Sequence, residues 1–432
     1  MLDIKYLRDN PDEARRRLAT RGRGDEVHID SILSQDGKRR DIILRVEALK
    51  AERNTASKEI GLRKAKKEPA DDLLSRMKEV SDQIAVLDVE FAAIEASQEA
   101  LLLTLPNLPH STVPVGADAE ANRTERTHGA PAAFPFAPKD HMTIAAAGSL
   151  LDFERAAKIS GSGFLVFKGK GARLERALIS YLLDFHTEAT ATPDLDPYLE
   201  VSPPFLVRGE AMKGTGQLPK FADDMYKVEG EDLFLIPTAE VPVTNLHAGE
   251  IVPVEALPLR YAAYTPCFRK EAGSAGRDNR GMIRVHQFDK VELVQIVRPE
   301  DSYAALDRLV GQVEAVLQSL GLHYRVLTLS TGDMGFGAAK CHDIEVWAPG
   351  LGTWLEVSSC SNFEDFQARR MGLRFKDTSE EGGGKNRFCH TLNGSGTALA
   401  RLFIALLETH QQADGRVLLP EKLRSYMGSD FI

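Results

Sequence analysis

A pair of heptad seams near the start of the chain constrains its fold more than any other feature. Leu73, Met77, Val80, Ile84, Leu87, Phe91, Ile94, Gln98 and Leu101 alternate steps of four and three without interruption. An upstream run, Ile42, Val46, Leu49, Arg53, Ala56 and Ile60, keeps the same rhythm. Residues spaced this way line one edge of a helix, and that edge needs a second helix to cover it. Pro69 falls between the two runs and cannot continue a helix. The spacing therefore predicts an antiparallel coiled-coil hairpin. The second seam spans 29 positions, which is about 45 Å of helix. Such a hairpin is too thin to be a globular core and is expected to project as an arm.

Charge is segregated along the arm. Residues 38–67 hold eleven Lys/Arg against four Asp/Glu, a net +7, and residues 70–103 hold two against eight, a net −6. The helices can attract each other across the positions flanking the seam, and the basic helix can also face an external polyanion. The two readings are compatible. The whole chain of 432 residues carries a net charge of −9, which argues against a surface coated for nucleic acid. Four cysteines, Cys267, Cys341, Cys360 and Cys389, form no CxxC pair. Their sparseness favours a reducing compartment, so a cytoplasmic location is expected. The first residues lack the apolar stretch of a signal peptide, and no apolar run approaches the length of a membrane span.

Pro106, Pro109, Pro114, Pro131, Pro135 and Pro138 punctuate the next stretch, where long regular elements are not expected. The chain thus divides into an arm domain, 1–105, a Pro-rich linker, 106–140, and a large domain, 141–432. In that domain the patterning predicts helices over 174–188, 302–320 and 397–411. Strands are expected over 199–204, 283–297, 341–347 and 354–359, and a glycine-broken loop over 209–221. Long strands with few strand–helix–strand units favour an α+β fold, an antiparallel sheet flanked by helices.

The densest chemistry lies in residues 268–292, FRKEAGSAGRDNRGMIRVHQFDKVE. Alternate residues of a strand share a face. Arg269 and Glu271 are expected to point one way from a first strand, and Arg284, Phe288 and Glu292 to share one face of a second. Arginine forks suit phosphate, an aromatic ring can stack on a purine, and a carboxylate can accept from an exocyclic amine or bind an α-ammonium.

Together with other motifs, this run resembles the bacterial-type seryl-tRNA synthetases, a family of class II aminoacyl-tRNA synthetases. The resemblance covers essentially the whole chain. It rests on the Met1-Leu2-Asp3 opening, the arm, GTGQLPKF at 214–221, Pro237-Thr238-Ala239-Glu240, the run just described, EVSSCSN at 356–362, and Asn393-Gly394-Ser395-Gly396 leading to Arg401. Each motif is weak alone, but their order and spacing together are specific.

The resemblance implies activation of L-serine by ATP and its transfer to the 3′ end of tRNA(Ser), and also of tRNA(Sec). It implies an ATP site formed by Arg269, Lys270, Glu271, Arg284, Val285, Phe288, Glu356, Val357, Ser358, Ser359 and Arg401. In it Arg269 would hold the α-phosphate and the serine carboxylate, Glu271 would read the adenine amine, and Phe288 would stack on the base. Arg401 would contact the γ-phosphate, and Glu356 and Ser359 would ligate Mg²⁺. Thr238, Ala239, Glu240, Arg269, Glu292 and Ser395 would bind serine. Pro203 and Pro204 lie in the region that builds the homodimer interface of this class. The arm would bind the long variable stem of the tRNA, with Lys58, Arg63, Lys64, Lys66 and Lys67 as candidate contacts, since duplex RNA is read through shape and backbone.

Two positions depart from the family pattern. Lys270 stands where Ser is usual, and strand alternation points its side chain away from the site. Ser160-Gly161-Ser162-Gly163-Phe164 has glycine where Arg usually precedes the Phe. Cys341-His342, Cys360 and Cys389-His390 fit no zinc-finger spacing, so zinc is not expected. A ligase that loads a carrier protein would share the fold but lack the arm. A non-catalytic RNA-binding paralogue would have no need of Arg269, Glu271, Glu356 and Arg401.

Overall fold

The computed structural model describes residues 1–188, 196–272, 281–378 and 383–432. The Gly/Arg-rich part of the chemical run, 273–280, lies outside the described residues. The chain forms two compact units, one of Leu2–Ala19 with Arg23–Pro106, the other of Met1, Thr20–Gly22 and Asn107–Ile432.

The first unit opens with helices α1 (Ile4–Asp9) and α2 (Pro11–Ala19), followed by the long helices α3 (Ile29–Ala65) and α4 (Asp71–Thr104). The break between the long helices contains Pro69. Asp71 and Asp72 open α4 and Arg63 and Lys64 close α3, each suited to the dipole at that end. Ile42 and Val46 pack against Val80, Ile84 and Leu87, with Leu49, Phe91 and Ile94 at the margins. Gln98 on the seam is satisfied by donating to Ile32 O at 3.2 Å. Cross-helix contacts run antiparallel: Gln35 to Ser97 at 3.0 Å, Arg39 to Glu95 at 3.7 Å, Arg76 to Glu52 at 2.7 Å, and Arg63 to Asp72 at 3.1 Å. Part of the charge segregation is therefore consumed within the hairpin.

In the second unit, eight strands form one sheet among the described residues. In chain order they are β1 (Arg123–His128), β2 (Leu199–Glu200), β3 (Leu259–Phe268), β4 (Gln287–Val297), β5 (Tyr324–Thr328), β6 (Lys340–Ala348), β7 (Thr353–Asn362) and β8 (His390–Ala398). Their spatial order is β1-β5-β6-β7-β8-β4-β3-β2. Neighbours are antiparallel except β2 and β3, which are parallel. Helices α5 (Lys170–Thr187), α6 (Ser302–Ser319) and α7 (Leu399–Thr409) supply the apolar cover. Leu178, Leu182, Leu309, Val313, Phe403 and Leu406 pack there against Val291, Leu293, Ile344 and Val346. This leaves Phe288, Lys290 and Glu292 of β4 on the other face.

Three elements differ from the sequence-based expectation. Strand β1 comes from the Pro-rich stretch, because residues 115–130 contain no proline and can pair with β5. A helical turn, Gly209–Gly214, interrupts the expected loop; Met212 anchors it in a small core with Val207, Phe234, Ile236 and Val241. Strand β4 begins at Gln287 rather than 283, because the His286 amide donates to Gly163 O at 2.8 Å.

Candidate active site

A cavity of about 580 Å³ lies against the uncovered face of the sheet. Its walls bring together Thr238, Glu240, Arg269, Glu271, Arg284, Val285, Phe288, Glu292, Glu356, Val357, Ser359, Ser395 and Arg401. Three residues expected in the site stand off these walls. Lys270 places its Nζ 5.8 Å from the centre of the Tyr226 ring, Ala239 is fully buried, and Ser358 is buried and donates to Ser395 O at 2.6 Å.

At one end the cavity is cationic. Strand β3 stops at Phe268, so Arg269 and Glu271 project from the turn beyond it rather than from a strand. Arg269 sits 5.2 Å from the Phe288 ring centre, and its Nε donates to Pro237 O at 3.3 Å. Glu271 adopts a positive φ of 51° and accepts from Arg284 at 3.3 Å. That backbone region is sparsely populated for a side-chain-bearing residue, and its use at a binding cavity is a common feature of functional turns. Arg401, from α7, donates to Glu356 O at 2.9 Å and lies 3.4 Å from the Glu356 carboxylate. The guanidiniums thus rest on carbonyls and partly exposed carboxylates, so they remain available to an anionic ligand.

A β-bulge delivers the two oxygen donors of β7. Glu356 pairs with Glu345, Ser358 with Ile344 and Ser359 with Asp343, which leaves Val357 as the extra residue. Residues three apart on a regular strand face opposite ways. Across the bulge Glu356 and Ser359 face the same cavity, together with Ser361. A carboxylate that is 43% exposed beside a hydroxyl suits a hard cation that prefers oxygen and keeps several waters. The cysteines and histidines weighed for zinc do not converge. Cys341 contacts Ser359 and Ser361, His342 contacts Thr328, and His390 contacts Ser302.

The other end of the cavity is acidic. Glu240 opens the short helix Glu240–Thr244 and accepts from Gln367 at 2.7 Å. Burial, reinforced by the neighbouring Glu292, pushes its carboxyl up to about 7. Glu292 accepts from Asn393 at 3.1 Å and is ion-paired with Lys290. Lys290 and Asn393 were missed in the sequence. For Lys290 a cue existed, because the alternation that groups Phe288 with Glu292 also places residue 290 on that face. Asn393 enters from β8, and its proximity depends on sheet order alone.

The Gly163 departure has a local partner. Gly163 has φ +81°, and a Cβ there would approach the His286 ring to 2.4 Å. His286 in turn brackets Arg269: its Nδ1 donates to Arg269 O at 3.0 Å, and its carbonyl accepts from Arg269 N at 2.9 Å.

An antiparallel sheet with helices on one face and an arginine-lined cavity on the other is the core architecture of the class II aminoacyl-tRNA synthetases. Residues 225–410 match the tRNA synthetase class II core domain (G, H, P, S and T), and residues 1–109 match the seryl-tRNA synthetase N-terminal domain. The chain belongs to the seryl-tRNA synthetase family. It is 54% identical to the serine–tRNA ligase of Akkermansia muciniphila over 432 residues, covering 100% of this chain and 99% of the other. It is 53% identical to that of Geobacter sulfurreducens over 428 residues, covering 99% of each. Its fold matches seryl-tRNA synthetase from Pyrococcus horikoshii complexed with ATP, with a TM-score of 0.92 and 38% identity over 100% of this chain and 99% of that one.

Proposed function

We propose that this cavity is where the chain condenses L-serine with ATP and then passes the seryl group to the 3′ end of tRNA(Ser), and by the same arm contacts to tRNA(Sec). One observation carries the reading: a single cavity joins an arginine-lined end to a buried acidic end. In the first step an oxygen of the serine carboxylate attacks the α-phosphorus, the bond to the β-phosphate oxygen breaks, and pyrophosphate leaves. Both reactants are anionic, so positioning and cationic screening do most of the work. The serine carboxylate is ionised at neutral pH, so this step needs no general base. In the second step a terminal ribose hydroxyl attacks the seryl carbonyl and AMP leaves.

Arg269 holds the α-phosphate and the serine carboxylate, and Arg401 the γ-phosphate. Glu271 accepts from the adenine amine, Phe288 stacks on the base, and Arg284 and Val285 line the nucleotide site. Glu240 binds the α-ammonium, with Thr238, Glu292 and Ser395 around the rest of the amino acid. Glu356 and Ser359 suit Mg²⁺, which when bound supplies further charge neutralisation on the phosphates. Lys58, Lys64, Lys66 and Lys67, exposed at the arm tip, serve the tRNA backbone, while Arg63 is partly engaged by Glu59 and Asp72. Pairing of two chains around Pro203 and Pro204 fits the exposed apolar residues Leu199, Phe205 and Leu206 beside them. Four buried, unpaired cysteines suit a reducing cytoplasm.

Serine-dependent exchange of labelled pyrophosphate into ATP tests the reading across all amino acids. Exchange is expected with serine far above any other, and Arg269→Ala should lower it by about a hundredfold or more. Exchange that favours a different amino acid, or an unchanged rate in the variant, would overturn it.

A further inference from the structure

Lys290 is a charged side chain 6% exposed in the floor of the acidic end, and the roles assigned above do not use it. Its Nζ makes two contacts. It donates to Thr238 Oγ1 at 2.8 Å, and it is ion-paired with the carboxylate of Glu292, itself 1% exposed. Thr238 Oγ1 also accepts from the Glu240 amide at 3.2 Å. A hydroxyl has two acceptor sites and one proton. With both acceptor sites taken, Thr238 can offer a ligand only its proton. Glu292 is held from both sides, by Lys290 on one oxygen and by Asn393 Nδ2 on the other.

Two carboxylates, Glu240 and Glu292, face this end of the cavity with one ammonium, that of Lys290, which touches Glu292. A zwitterionic amino acid brings the second ammonium. Charge then balances only if Lys290 serves one carboxylate and the substrate the other. The contacts decide which: Lys290 is ion-paired with Glu292, whereas Glu240 has a neutral hydrogen-bond donor, Gln367.

We propose that Lys290 is the positioning residue for side-chain specificity, holding Glu292 as an acceptor for the substrate's β-hydroxyl and turning the Thr238 hydroxyl into a donor. This rests on the serine-pocket reading given above. A site whose buried acceptor awaits a hydroxyl rejects an analogue that lacks one, because the acceptor is then left unpaired. Without Lys290 the carboxyl would be buried beside Glu240 with no countercharge, and would be driven to take up a proton and become a donor itself. The groups facing Glu292 are Lys290 on its own strand, Thr238 and Glu240 before and in the short helix, Arg269 and Cys267 at the end of β3, Cys360 on β7, and Asn393 and Ser395 on β8. Burial raises both thiols, so Glu240 is the neighbour that titrates near neutrality.

Pyrophosphate exchange with serine and with alanine, in the full-length protein, tests the proposal. Lys290→Met should lower kcat/KM for serine about a hundredfold, mainly through KM, leave alanine and the KM for ATP nearly unchanged, and make the serine-to-alanine ratio fall as pH is lowered. Lys290→Arg should recover part of the serine preference. Equal losses for serine and alanine would show a merely structural role and overturn the proposal, as would an unaffected serine preference. Should the methionine variant not fold, the wild type decides. Its serine-to-alanine ratio should stay constant as pH is lowered from about 8 to about 6, because protonation of Glu240 affects both substrates alike. A ratio that collapses over that range would refute a Glu292 held as an acceptor by Lys290. Failure of the wild type to activate serine at all would instead overturn the site reading itself.

Discussion

Glu240 concentrates the energetics of the site in one side chain. Its carboxyl is raised from an ordinary 4.5 to about 7 by burial and by Glu292. Between those values the folded chain keeps a proton that the unfolded chain has released. Its contribution to stability is therefore fully present below about pH 4.5 and is lost as pH rises through about 7, amounting to about 3 kcal/mol. Glu240→Gln should accordingly be more stable than wild type at pH 8, with a smaller change in Tm between pH 6 and 8, both read by thermal denaturation. The same substitution removes the charge proposed to meet the α-ammonium, so serine activation should fall about a hundredfold or more. In the wild type kcat/KM for serine should decline as pH drops below about 7, because the protonated carboxyl no longer attracts an ammonium. Stability and activity thus move in opposite directions at this residue, as expected where a buried charge is retained for binding.

At the level of elements, two local irregularities aim the chemistry. The bulge at Val357 puts Glu356 and Ser359 on one face of β7. The segment Ser160–Phe164 takes the His286 amide and so delays the start of β4 to Gln287, freeing Arg284 and Val285 to line the cavity. Gly163→Ala tests the second device. The added Cβ would meet the His286 ring at 2.4 Å at a backbone φ of +81°. Displacing His286 disturbs the Arg269 backbone it brackets. The variant should lose about 2 kcal/mol of stability, seen in denaturant unfolding, and should raise the KM for ATP more than that for serine. These devices were not readable in the sequence, where strand alternation carried Arg284 into β4 and Arg269 into β3. The heptad seams, by contrast, were readable position by position, because their repeat is local and each buried residue has its partner at a fixed spacing.

For the whole molecule, the net charge of −9 averages over unlike parts. A helix segment of net +7 is masked by its −6 partner, and cross-helix pairs use up some of each. The exposed lysines at the tip are the ones proposed to meet an outside polyanion. Replacing Lys58, Lys64, Lys66 and Lys67 together by alanine should weaken tRNA aminoacylation and flatten its salt dependence, because fewer counterions are released on binding. Serine-dependent pyrophosphate exchange should be unaltered, since it requires no tRNA. An exchange rate that falls along with aminoacylation would show that the tip lysines do not act on tRNA alone. No helix among the described residues is long and apolar enough to cross a membrane.

The sequence by itself determined the arm, the antiparallel α+β character of the larger unit and the identity of many of the charged and polar residues around its cavity. Those follow from short-range periodicity and from motifs whose order along the chain is specific. Only the tertiary structure decided that β1 is recruited from the Pro-rich stretch, that Ala239 and Ser358 stand off the cavity wall, and that Lys290 bridges Thr238 and Glu292. Each of these depends on which strands lie side by side and where a strand gains or loses one residue. A period-two pattern is blind to both, because one bulge inverts every later side chain while leaving the sequence alternation intact.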